Sequence, residues 1–351
     1  MKDNFLFHNS KITPFVWERF VLRINRIWVE LNERGIKKVD SILVAISGGP
    51  DSMLMSYLLY KYLLSREIKI ILCYVNHSVR TKKEIEEEIS LIRSFAGKVN
   101  AELVVRKIKT TRCDENSLRK KRYEKLYEVA SEYSCRLIAT GHNRDDSVET
   151  FLINLFRGSG VAGLTGISYF REVNFGNRKL YVIRPLIDIG KEEVVNEIKK
   201  VGIPFSVDST NLSSKYTRNI LRNEILPQIR KIFPSYDNHI VNTMEILCDV
   251  YRYLEEEMEK VFCEVVKRVD EKNIHLDFKK FLIYNRVIQK EILCKILDDL
   301  FNSKKRDVFL LHSKIIKLLM KFFADKREVV SVNKYLSVRK KNKTVVFTLK
   351  K

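Results

Sequence analysis

The chain has 351 residues, a net charge of +21 at neutral pH, 45% apolar residues and 31% charged residues. At about 100–200 residues per domain this predicts two or three domains, and the apolar share excludes intrinsic disorder as the main state. No run approaches the roughly 20 apolar residues that cross a bilayer. The opening MKDNFLFHNSKITPF lacks the apolar stretch of a secretory signal, so a cytoplasmic protein without a membrane partner is expected.

Phe15, Phe20, Ile24, Trp28 and Leu31 recur at helical spacing and predict a helix over 15–34. Short apolar runs then alternate with amphipathic stretches. Ser41–Ile46, Ile68–Val75, Ala101–Ile108, Arg136–Thr140 and Leu180–Ile183 are expected strands. Helices are expected at 51–64, 83–99, 118–133, 145–157 and 191–201. Apolar strands alternating with helices define an α/β class, a doubly wound parallel sheet covered on both faces. The alternation stops near 205, and Pro227 and Pro234 bracket an expected linker. Helices are expected over 238–269, 278–301 and 308–324, then short strands around Lys340-Lys341-Asn342-Lys343. The expected organisation is a helical extension over 1–40, a sheet domain over 41–227, and a mainly helical domain with a small β tail over 228–351.

Six cysteines stand at 73, 113, 135, 248, 263 and 294, with no C-x-x-C spacing. That argues against a thiolate zinc site or a redox pair, and for reduced thiols. The positive charge calls for a polyanionic partner. It is concentrated near the end of the chain, where residues 301–351 carry 15 Lys/Arg against 3 Asp/Glu.

The strongest local signal is Ser47-Gly48-Gly49-Pro50-Asp51-Ser52, between a strand and a helix. Two glycines admit close backbone approach, and a helix N-terminus offers unpaired N–H groups and a positive dipole end. Hydroxyls of Ser47 and Ser52 complete an anion cradle of phosphate size. G-x-x-x-x-G-K-[ST] is absent, so this is not a Walker A loop. The second signal is Gly141-His142-Asn143-Arg144-Asp145-Asp146-Ser147-Val148-Glu149. On a helix Asp146 and Glu149 share a face. Carboxylate oxygens facing a phosphate cradle are what Mg²⁺ prefers, together with water and phosphate. Gly158-Ser159-Gly160-Val161-Ala162-Gly163 matches G-x-G-x-x-G but follows a helix, so the dinucleotide reading lacks its context.

SGGPDS resembles the PP-loop of ATP pyrophosphatases, which split ATP between the α and β phosphates. Further segments resemble tRNA(Ile)-lysidine synthases: Glu149–Leu164 (ETFLINLFRGSGVAGL), Val75–Arg80, Leu118–Tyr123, and Asp208–Asn211 followed by Tyr216–Arg222 and Ile225–Pro227. These motifs run in family order over 41–227. That family usually has histidine where Asn143 stands. The chain also lacks the R-x-x-G-D-like segment of longer members and is expected to be a short one.

The resemblance implies a ligase that adenylates C2 of the wobble cytidine of tRNA(Ile) with CAU anticodon, then attaches L-lysine, releasing AMP and pyrophosphate. It implies ATP at Ser47–Ser52, His77, Gly141 and His142, catalysis and Mg²⁺ at Asp51, Asp146 and Glu149, and tRNA, with no DNA expected, at Arg119, Arg122, Arg157, Arg218 and Arg222. The alternative is a tRNA 2-thiolation enzyme of the same superfamily, which would need sulfur-handling cysteines.

Overall fold

The structure is a computed structural model that describes residues 12–76, 81–108, 115–206, 217–270, 272–301, 308–325, 327–333 and 335–350. His77, Cys113, Lys215 and the segment from Asp208 to Tyr216 lie outside the described residues. The chain divides into two compact units, Met1–Glu245 and Ile246–Lys351.

The first unit is built on helix α1 (Pro14–Glu33), β1 (Ser41–Ile46), α2 (Pro50–Leu63), β2 (Lys69–Asn76), α3 (Lys82–Lys98), β3 (Glu102–Lys107), α4 (Glu115–Glu132), β4 (Leu137–Ala139), α5 (Arg144–Phe156), β5 (Phe170–Phe175), β6 (Arg178–Ile183) and α6 (Lys191–Val201). The six strands lie in the order β3-β2-β1-β4-β6-β5. All neighbours pair in parallel except β5, which runs antiparallel to β6 at the edge. The strand order reverses between β1 and β4, and a doubly wound sheet binds ligands at the carboxyl edge of that switch point.

Alternation along β1 sends its side chains to two cores. Ile42, Val44 and Ile46 pack with α1, α2 and α6, whereas Leu43 packs with Cys73, Val75, Leu126 and Val129 of the α4 side. On α1 the buried stripe is Val16, Phe20, Ile24, Ile27 and Leu31. Phe15 instead faces outward, with the Arg19 guanidinium 4.2 Å above its ring. Arg23 reinforces the docking of α1 by gripping both carboxylate oxygens of Asp188 at 2.7 Å.

The expected linker around Pro227 is helical. It consists of α7 (Thr217–Ile220), a π turn over Leu221–Ile225, and α8 (Leu226–Ile232). Pro227 stands in the first turn of α8, where its missing N–H costs no bond, and Phe233 is extended before Pro234, which stops the helix. Strand β5 is not apparent from the sequence because only Phe170 of its six residues is buried, at the edge of the sheet.

Helix α9 (Tyr236–Val265) leads into β7 (Val266–Arg268) and β8 (Asn273–Asp277), where a continuous helix to 269 was expected. The period-two burial of Ile274 and Leu276 marks β8 as a strand. The expected helix 278–301 is broken into α10 (Phe278–Ile283) and α11 (Arg286–Phe301). The Asn285 side chain stops the first and caps the second by accepting the N–H groups of Val287 and Ile288, each at 3.0 Å. After α12 (Val308–Ala324), strands β9 (Val329–Ser331), β10 (Leu336–Lys341) and β11 (Thr344–Leu349) complete an antiparallel sheet of order β7-β8-β11-β10-β9. The β10–β11 turn places Asn342 at φ +56°, a conformation asparagine tolerates. Lys340 turns inward to donate to the Phe322 and Asp325 carbonyls at 2.8 and 2.6 Å, neutralising the negative end of α12.

Phe20 is fully buried on the inner face of α1, its ring centroid 6.3 Å from that of Tyr62 on α2. Phe20→Ala is expected to cost about 3–5 kcal/mol of stability, measured by equilibrium urea unfolding; a loss under about 1 kcal/mol would show that α1 is not part of the core it covers.

Candidate active site

Two loops meet at the switch point. The first runs from β1 to α2. Gly48 has φ +78°, a left-handed conformation that strains any side chain, and a Cβ there would lie 3.0 Å from Ser206 Oγ. Gly49 caps α2 and Pro50 opens it, so the helix N-terminus faces the crevice. The loop is tied internally, because Ser52 Oγ donates to the Gly49 carbonyl and accepts the Ser47 N–H, both at 3.0 Å. It is tied externally as well. Ser206 N–H donates to the Gly48 carbonyl at 2.8 Å, and its hydroxyl donates to the buried Glu88 at 3.2 Å. Glu88 in turn accepts the Tyr74 hydroxyl at 2.7 Å.

The second loop runs from β4 to α5. Position 141 has no room for a side chain, because a Cβ there would lie 3.1–3.2 Å from the backbone of Asp51 and Ser52. Asn143 is the N-cap of α5: its Oδ1 accepts the Asp146 N–H at 3.0 Å, and Asp146 Oδ2 accepts the Asn143 N–H at 3.2 Å. The remaining Asn143 group, Nδ2, donates to Asp51 Oδ1 at 2.7 Å and so joins the two loops. His142 sits beside Thr140, with Nδ1 and Oγ1 3.0 Å apart.

The π turn between α7 and α8 delivers the cation that these carboxylates need. Arg222 grips Glu149 through Nε and Nη2 at 2.5 and 2.8 Å and reaches Asp146 Oδ1 at 3.0 Å. Arg218 adds a contact to Glu149 Oε2 at 3.3 Å and donates to Thr150 Oγ1 at 2.8 Å. Glu149 is 1% exposed, so both its oxygens are spent on guanidinium groups inside the protein.

Burial pushes Asp51 above the usual carboxylate range, and the negative charge of Asp146 adds to that; Lys191, Asn143 and Arg222 oppose it. Burial also works to raise Asp146, but Arg222, Arg218 and the bond from the Asn143 N–H hold that carboxyl below its ordinary value. Glu149 is raised by burial despite Arg222. Burial would lower Arg222, yet its bond to Glu149 and the charges of Glu149, Asp146 and Asp51 raise it. Burial drives His142 well below the ordinary imidazole value, with Arg184, Arg119 and Arg122 pushing the same way against Asp146, so it is neutral.

Ser47–Ser52, Gly141, His142, Asp146, Glu149, Arg218 and Arg222 therefore converge on one edge. Arg119 and Arg122 lie on α4 against the Tyr123 ring, 5.7 and 6.0 Å from its centroid. Arg157 is exposed beyond the far end of α5, about 16 Å along the helix from Asp146 at 1.5 Å per residue. The bridge through Asn143, the Tyr74–Glu88–Ser206 support and Arg184 are not apparent from the motifs alone. The last had a visible signal: it is the one charged residue in LYVIRPLI, directly after a buried strand.

A phosphate-sized cradle on a helix N-terminus at the switch point, faced by carboxylates, defines a nucleotide-binding α/β domain. A model of the PP-loop domain family matches residues 18–229. The chain belongs to that family, which uses ATP. It is 33% identical over 242 residues to the tRNA(Ile)-lysidine synthase of Dehalococcoides mccartyi, covering 66% of this chain and 51% of that protein. It is 34% identical over 268 residues to that of Persephonella marina, covering 74% and 57%. With the Bacillus cereus enzyme of the same name it shares 28% over 311 residues, covering 87% and 61%. The chain thus spans about half to three fifths of the length of these curated relatives. Among solved structures, the U34-tRNA thiolase NcsA from Methanococcus maripaludis has the same fold, with TM-score 0.51 and 21% identity over 66% of this chain and 80% of that one.

Two predictions follow from the charge balance. Arg222→Ala leaves Glu149 buried without its main partner and is expected to cost about 3–5 kcal/mol in urea unfolding, with Arg222→Lys recovering part. Asp51 has a raised folded pKa, so its ionisation opposes folding: the penalty is absent below the ordinary carboxylate value and complete above the folded one. Asp51→Asn should therefore raise the melting temperature at neutral pH, with the stability gain vanishing as pH falls below the ordinary carboxylate value. A lower melting temperature at neutral pH would contradict this.

Proposed function

We propose that the protein is a tRNA(Ile)-lysidine synthase: it adenylates C2 of the wobble cytidine in the CAU anticodon and attaches L-lysine there. The observation that supports this best is the union of a PP-loop edge with the Asp146–Glu149–Arg222 cluster in a chain whose curated relatives carry that name. In the first step the cytidine O2 attacks the ATP α-phosphorus and pyrophosphate leaves. In the second the lysine ε-amine attacks C2, and AMP departs with the oxygen.

The residues divide the work. The N–H groups of the Ser47–Ser52 loop and the start of α2 meet the pyrophosphate charge. Gly141 lets the second loop approach closely enough to close the cradle from the side. Asp51 and Asp146 fit Mg²⁺, which takes one or two carboxylates together with phosphate oxygens and water; the ion would neutralise charge on the departing pyrophosphate. Glu149 serves that pair through Arg222, which it fixes against Asp146. Neutral His142 neither repels the guanidiniums nor competes with ATP for a cation. The attacking amine must lose a proton, and the carboxylates of this edge are the acceptors within it. Arg157 and the basic residues of the second unit meet tRNA phosphates, so binding should weaken steeply with salt.

Thiolation is disfavoured by the described cysteines of the first unit. Burial pushes the Cys73 thiol up to about 12, in the middle of β2. Cys135 is raised by burial too and lies 3.1 Å from Ser41 at the amino end of β1, opposite the crevice. Neither is a ready thiolate.

The test is incubation with tRNA(Ile), ATP, Mg²⁺ and lysine, followed by mass spectrometry of the nucleosides and analysis of the nucleotide products. A cytidine heavier by lysine less water, with AMP and pyrophosphate, is expected. A base that gains sulfur, or release of ADP and phosphate, would overturn the proposal.

A further inference from the structure

The carboxylates of the site all have cations beside them, but one buried cation nearby, Arg184, has no carboxylate among the described residues. Arg184 directly follows β6 on the carboxyl edge, one strand over from the β4 exit, where the Thr140 N–H bonds the Ile183 carbonyl at 3.0 Å. It is 3% exposed. Its Nη1 donates to the Ser168 carbonyl, while its Nε–H has no hydrogen-bond partner among the described residues. The Tyr123 hydroxyl, on a side chain 8% exposed, faces the Arg184 guanidinium and has no other partner among the described residues. Arg171 lies over the same tyrosine ring at 5.7 Å and donates to Tyr127. Although burial acts to raise the Tyr123 hydroxyl, Arg184, Arg119 and Arg122 together bring it below its ordinary value, a sign of net positive potential at that point. No carboxylate pairs with Arg184 among the described residues.

A buried guanidinium without a counter-anion is costly unless a ligand supplies the anion. The burial selects the kind of ligand: a guanidinium 3% exposed is out of reach of a polynucleotide phosphate, whose chain stays in solvent. The triphosphate has its own cradle in the Ser47–Ser52 loop. What remains is a compact, acceptor-only group that matches a guanidinium edge and a phenolic donor. We propose that Arg184 and Tyr123 form a subsite for the α-carboxylate of the amino-acid substrate, holding it while its ε-amine reaches toward the Asp146 side of His142. This rests on the proposed amino-acid ligase activity.

The test compares lysine with cadaverine, which is lysine without its carboxylate, in the complete reaction with tRNA and ATP. The wild-type protein, Arg184→Lys and Tyr123→Phe are assayed, with folding checked by circular dichroism and melting temperature. Arg184→Lys is expected to raise the KM for lysine by roughly 30-fold or more, the scale of losing a buried charged partner. Tyr123→Phe, which removes one hydroxyl and keeps the ring, should raise it by roughly 3- to 10-fold. Neither should change the KM for ATP or the turnover of cadaverine, so the preference for lysine over cadaverine shrinks. Parallel loss with both amines would mean a structural role, and a raised KM for ATP would mean a phosphate site; either overturns the proposal. Should Arg184→Lys not fold, Tyr123→Phe decides by the same readouts. A wild-type protein that attaches no lysine to tRNA would refute the ligase reading itself, a result visible before any variant is made.

Discussion

The carboxamide of Asn143 bridges the two loops of the crevice, and its bonds leave little freedom in how it is oriented. Its oxygen must face the Asp146 N–H, which can only donate, so its nitrogen faces Asp51, which accepts. One side chain thereby starts α5, places Asp146 in the first turn, and holds the first turn of α2 against it. The close approach depends on Gly141, whose absent Cβ leaves the Asp51 and Ser52 backbone within reach. Two helix N-termini then point into one crevice, which makes the edge attractive to anions.

That convergence carries an electrostatic cost, since Asp51 and Asp146 raise each other's energy in a buried setting. The molecule offsets it from outside the sheet, through a π turn that widens one helical turn and sets Arg222 over Asp146 and Glu149 together. Acidic and basic groups are thus segregated along the edge. The side toward α2 and α5 holds carboxylates with fixed cations, and the side toward β6 holds Arg184, which has no fixed anion among the described residues. A site arranged so suits a reaction that brings a metal and phosphates to one half and a carboxylate to the other.

Much of this was legible in the sequence because the α/β architecture advertises itself. Buried parallel strands read as unbroken apolar runs, so β1, β2 and β4 were placed within a residue or two, and the PP-loop stood where a strand meets a helix. Features that depend on long-range contact did not show. Nothing local marks Arg222 as an inward-facing residue, because basic residues beside an expected proline-bracketed linker usually face solvent. Pro227 read as a breaker, although in the first turn of a helix it breaks nothing. Strand β5 pairs at the edge with only Phe170 buried, so it lacked an apolar pattern. In β8 the alternation of Ile274 and Leu276 was present, yet the long apolar helix before it masked the change of period.

Asparagine at position 143 bears on how the site behaves with pH. The family resemblance has histidine there more often, and a neutral imidazole has one donor and one acceptor, enough to make the same two bonds. An imidazole between Asp51 and Asp146 would, however, face two carboxylates, and opposite charge favours its protonated form. Once protonated it has no acceptor left for the Asp146 N–H, and the cap of α5 would be lost as the crevice gained a positive charge. The carboxamide cannot titrate. It keeps the cap and the bridge in every protonation state of its neighbours, and leaves His142, held neutral by burial, as the one imidazole described at the crevice. The geometry of the two loops is therefore decoupled from the proton transfers that the chemistry requires.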